Sequence, residues 1–71
     1  MTKEQIEELA IDETSKAFPS LESTNQSYFW GIVNMMTNTI INDYDLNSIR
    51  SESFARELIK PEIENLKKTL M

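Results

Sequence analysis

From Ser23 to Asn42 the chain runs for 20 residues without a charged side chain, although Asp, Glu, Lys and Arg make up 27% of its 71 residues. A solvent-facing segment in so charged a chain normally picks up Lys or Glu, because charge on an open face costs little and keeps the protein soluble. The stretch is therefore expected to be covered on most sides, by the chain's own flanking segments or by a second chain. Lipid is excluded as the cover. Asn25, Gln26, Asn34, Asn38 and Asn42 carry amides too costly for a membrane span, and no run of about 18 apolar residues occurs anywhere.

The spacing within the run is helical. At about 100° per residue Tyr28, Phe29, Ile32, Val33, Met36, Ile40 and Tyr44 share one broad arc, opposite Ser27, Gly31, Asn34, Asn38 and Asn42. Trp30 and Ile41 fall outside the arc and widen the apolar surface beyond what one neighbouring helix covers. β-branched residues are frequent, but the period is not two and the run is too long for a strand. Ser23-Thr-Asn-Gln26 fits a capping box and places the helix start there. Gly31 leaves room for a close helix approach, although a lone glycine of this kind is more often ordinary packing.

Two flanking segments read as helices as well. Thr2-Lys-Glu-Gln5 is a capping box, and Ile6, Leu9, Ala10, Glu13 and Ala17 then recur on one face until Pro19 stops the helix. Pro19 to Asn25 reads as a short connection. After the turn-forming Asp43-Tyr-Asp-Leu-Asn47, with Asn47 or Ser48 as cap, a third helix is expected to carry Ile49, Phe54, Ala55, Leu58 and Ile59 inward. A proline inside a helix costs about 3 kcal/mol and almost nothing at its first position, so a break is expected at Lys60-Pro61. A short C-terminal fourth helix follows, with Ile63, Leu66 and Leu70 on one face. The predicted fold is a single all-α domain over residues 1–71, three helices plus a short fourth packed as a small bundle, with the uncharged helix at its centre.

A chain this short buries only about 60% of the surface its unfolded state exposes. With no Cys and no His, disulfide and zinc staples are ruled out, and self-association is the remaining route to extra stability. A homo-oligomer is expected.

Net charge is −5, placed unevenly: −4 over residues 1–22, −2 over 23–45 and +1 over 46–71. Without a basic stripe, nucleic acid is an unsuitable partner. Missing His and Cys also remove the commonest general base and the thiolate nucleophile, which argues against an enzyme. Glu13, the one acid on an apolar face, reads as an edge residue. Asp43, Asp45 and Asn47 open like a calcium loop, but Ser48 stands where the turn glycine belongs and Phe54 where the bidentate Glu belongs, so no metal and no cofactor is expected. Arg50, Arg56 and Lys60 could make a basic edge suited to an acidic partner, including the first helix of a second copy, but the interleaved Glu52 and Glu57 make an ordinary solvated face the default reading.

Two function classes remain open. One is a small non-enzymatic regulator or inhibitor that binds a larger protein and self-associates, with Tyr28, Trp30, Asn34, Asn38 and Ile41 as the partner-binding residues; Trp and Tyr are frequent interface anchors. The other is a small-ligand or nucleotide-binding bundle in which Tyr28, Trp30, Asn34 and Asn38 line a pocket between subunits. The Asn- and Ile-rich usage and small acidic helical build resemble accessory proteins of phages and mobile elements, many of which inhibit host machinery. That resemblance rests on composition and carries no motif. With no basic, apolar leader at the start, a cytoplasmic location is the expectation.

Overall fold

A computed structural model describes residues 1–70 as an all-α bundle. Helix α1 spans Lys3–Ala17, a single turn α2 spans Leu21–Thr24, α3 spans Gln26–Asp43 and α4 spans Glu52–Leu70, with a 3₁₀ turn at Leu46–Ser48. The capping box at Thr2 forms as expected: its Oγ1 accepts from the Gln5 N–H at 3.2 Å, and Gln5 Oε1 accepts from the Thr2 N–H at 2.8 Å. The helix ends at Ala17, two residues before Pro19.

Three boundaries differ from the sequence reading. The connection after Pro19 contains α2, where the hydroxyls of Ser23 and Thr24 both donate to the Ser20 carbonyl. Those side chains are thereby used in α2, and Asn25 rather than Ser23 caps α3, its Oδ1 accepting from the Tyr28 N–H at 3.2 Å. At the next junction Asp45 caps the 3₁₀ turn, and Ser51 Oγ accepts from the Phe54 N–H, so α4 starts at Glu52 instead of near Asn47. The expected break at Lys60-Pro61 does not occur: α4 is continuous, with Pro61 inside it. Pro61 and Glu57, the residue whose carbonyl loses its donor, both lie on the exposed side, whereas Ile59 and Ile63 are buried. Burying each isoleucine contributes about 1.5–3 kcal/mol, together enough to offset the cost of one interior proline.

The core lies between the three long helices. Ile6, Leu9 and Ala10 of α1 meet Phe29, Ile32, Val33, Met36 and Ile40 of α3 and Ala55, Ile59 and Ile63 of α4, and Ile49 plugs one end from the connection. Arg56 reaches Asp12 and Glu13, and Lys60 and Lys67 lie beside Lys16 and Ala17, so α1 and α4 run in the same direction with α3 opposed. Helix α1 packs closely on both others, while α3 and α4 touch much less. Phe54, expected inward, is 41% exposed. The expected inward position of Leu70 lies outside the described side chains.

Two core threonines escaped the apolar pattern. The Thr37 hydroxyl donates to the Val33 carbonyl at 2.8 Å, which satisfies it inside its own helix. Thr14 Oγ1 is buried with no hydrogen-bond partner among the described residues.

Candidate interaction surface

The bundle covers only half of the uncharged run. Phe29, Ile32, Val33, Met36, Thr37 and Ile40 are buried, but Ser27, Gly31, Asn34, Met35 and Asn38 stay in the open. The result is an outward helix face without a charge on it from Gln26 to Asn42, about 25 Å long at about 1.5 Å per residue. Tyr28 and Tyr44, assigned to the apolar arc from spacing, both point outward.

The five residues expected to bind a partner do not form one cluster. Tyr28 and Trp30 sit about 160° apart around the helix axis, so they mark opposite edges of the face. On one edge Trp30, 36% exposed, is joined by half-buried Ile41. The Trp30 ring stands edge-to-face on Phe29, with centroids 5.5 Å apart and planes at 89°. This geometry anchors the indole on a core ring and leaves part of it exposed. Between the edges run Ser27, Asn34 and Asn38, all exposed.

On the other edge lies a groove that spacing alone did not reveal. Where α3 and α4 pack only loosely, Ser27, Tyr28, Gly31, Ile32, Met35 and Leu66 line an open, mainly apolar depression of about 270 Å³. Tyr28 is 40% and Met35 47% exposed on its rim. Gly31 at its floor has an ordinary helical φ, and a methyl group added there would meet no neighbouring side chain or other element within 4 Å. Gly31 therefore makes no close approach to another helix within this chain. A glycine in a helix interior costs about 0.5–1 kcal/mol relative to alanine, and the internal packing of this molecule gives no reason for it.

The charged groups are gathered elsewhere. Arg56 of α4 donates to Asp12 at 2.8 Å, to Glu52 at 2.7 and 3.0 Å, and also to Glu13. Glu13 is thus not a free edge residue, and the basic edge of Arg50, Arg56 and Lys60 loses its middle member to the chain's own α1. The Arg56 and Lys16 cations hold the Asp12 carboxyl below its usual range, Arg56 contributing most. A second, polar depression between α1 and α4 is lined by Glu13, Lys16, Lys60, Glu64 and Lys67 among others, with the two signs interleaved. In the Asp43–Asn47 segment, Asp45 spends a carboxylate oxygen on the Asn47 N–H at 3.0 Å. Among the described residues no three His, Cys, Asp or Glu side chains are gathered as a metal-ligand set, and no helix is long and apolar enough to cross a membrane.

Comparison with protein-family models, with curated proteins and with solved structures gives no match to this chain.

Proposed function

We propose that the protein is a small non-enzymatic interaction module, a regulator or inhibitor that engages a larger protein and self-associates through the outer face of α3. The observation that carries this reading is the open half of the uncharged run. In a chain with 27% charged residues, a helix face that is both exposed and free of charge, with Trp30, Tyr28 and Met35 on it, has the composition of an interface rather than of a solvated surface. Asn34 and Asn38 between the aromatic edges supply hydrogen-bonding groups without the desolvation cost of an ion.

The test compares Trp30→Ala with Phe29→Ala. Trp30→Ala is expected to weaken association by about 2 kcal/mol or more while leaving helicity largely intact. Phe29→Ala, which empties a fully buried site, is expected to cost about 3–5 kcal/mol of folding stability. Circular dichroism and light scattering at about 100 µM, a concentration that reveals even micromolar affinity, separate the two. Trp30→Ala leaving association unchanged, or unfolding the chain as Phe29→Ala does, overturns the reading.

A further inference from the structure

We propose that the occupant of the α3 groove is a second copy of this chain, the two α3 helices crossing antiparallel at Gly31 with Tyr28 of each copy beside Met35 of the other. The proposal rests on reading the outer face of α3 as an interaction surface, and it names the partner and the geometry.

The charge distribution selects the face. Each copy carries −5, and the exposed side of α1 presents Glu4 and Glu8, so two copies that meet through α1 set like charges against each other. The face of α3 carries no such repulsion, because no charged residue lies between Ser23 and Asn42 and none lines the groove.

The chemistry of the face suits its own copy. A two-fold axis brings identical groups together, and Ser and Asn side chains, each both donor and acceptor, can bond to themselves where Lys or Glu cannot. Size is also adequate. A stable dimer buries about 600–1,000 Å² per copy, only about an eighth to a fifth of the 4650 Å² surface.

Direction follows from the two unlike sides of Gly31. Toward α4 lie Tyr28, Met35 and the apolar groove, with Ser27 at its margin; away from it lie Asn34 and Asn38. A two-fold along the helices sets the apolar side against the amide side. A two-fold across them sets like against like, so that the grooves face each other on one side and the amides on the other. Tyr28 lies three residues before Gly31 and Met35 four after, so in the antiparallel pair each ring comes level with a thioether, a favourable contact. Ser27 comes level with the stretch between Asn34 and Asn38 of the other copy. Gly31, without a role inside the chain, is what lets the backbones close at the crossing point.

The absence of native cysteine makes single-cysteine variants a direct reading of register, since a disulfide needs Cα atoms within about 7 Å. Gly31→Cys is expected to form a covalent dimer under mild oxidation. Tyr28→Cys alone and Met35→Cys alone are expected to stay largely monomeric covalently, whereas their mixture cross-links. Light scattering on the unmodified chain should give twice 8.3 kDa, and Gly31→Leu should weaken the dimer at least tenfold with helicity retained. Cross-linking of Tyr28→Cys and Met35→Cys each with itself indicates parallel helices and overturns the proposal. A dimer by mass that Trp30→Ala disrupts, but that gives no Gly31 cross-link, also overturns it while the interaction reading of α3 stands. A monomer at about 100 µM overturns this proposal and the self-association in that reading together.

Discussion

Arg56 ties three carboxylates from two helices to one guanidinium: Glu52 one turn back in α4, and Asp12 and Glu13 across in α1. The fork shape of the side chain permits this, since its several N–H donors diverge in one plane while a lysine offers a single charged point. The groups are partly exposed, so solvent and salt screen the attraction, and the clasp acts mainly by fixing how α1 and α4 align. Its pH dependence has a definite sign. Asp12 titrates below its ordinary value of 3.8 in the folded chain, chiefly because of Arg56. The unfolded chain therefore binds the proton first as pH falls. The stability this pair contributes is present above the unfolded value and is lost as pH drops through the folded one. Urea midpoints of the unmodified protein are expected to fall between about pH 5 and about pH 2.5. Arg56→Gln should lower the midpoint at neutral pH and flatten that acid slope. An unchanged slope in the variant shows that other carboxylates govern acid unfolding.

At the scale of the helix, α4 shows local preference yielding to packing. Pro61 argues for a break, yet a break would swing Ile63 and Leu66 away from the same core that holds Ala55 and Ile59. Pro61→Ala restores a backbone donor to the Glu57 carbonyl and is expected to stabilise the fold by about 1–3 kcal/mol, read from thermal or urea unfolding. A change near zero is what a separate helix with proline at its first position would give. Elements with strong, uninterrupted periodicity were legible: α1 with its capping box, and the buried arc of α3 from Phe29 to Ile40. Where several residues could serve as cap or breaker, sequence did not rank them. Ser23, Thr24 and Asn25 are all capping types, and only α2, which engages the first two, leaves the third for α3. The outer face of α3 was legible as uncharged, but the groove was not, because it depends on loose packing of α4 on α3 that brings Leu66, 35 residues further along the chain, beside Gly31. Arg56 was visible only as one of three basic residues on an edge, since helical spacing places a residue on its own helix and says nothing of what faces it.

For the molecule as a whole, the Cα radius of gyration of 11.7 Å is close to the about 11 Å typical of a compact globule of this length. One chain therefore closes its own core, and the proposed association would add to a finished bundle rather than complete an open one. That makes the electrostatics of association separable from folding. Two copies at −5 each repel over most of their surfaces, with a range of about 10 Å at 0.1 M salt and about 3 Å at 1 M. A contact through the charge-free face of α3 gains nothing from attraction between charges, so salt acts only by screening the repulsion. Association is expected to tighten as sodium chloride rises from about 0.02 M to about 0.5 M, measured by sedimentation equilibrium at constant pH. The rival contact, Arg50 and Lys60 of one copy against the acidic α1 of another, predicts the opposite slope, because each cross-chain ion pair weakens as it is screened. Dissociation on adding salt would place the interface on α1 and α4 instead of α3.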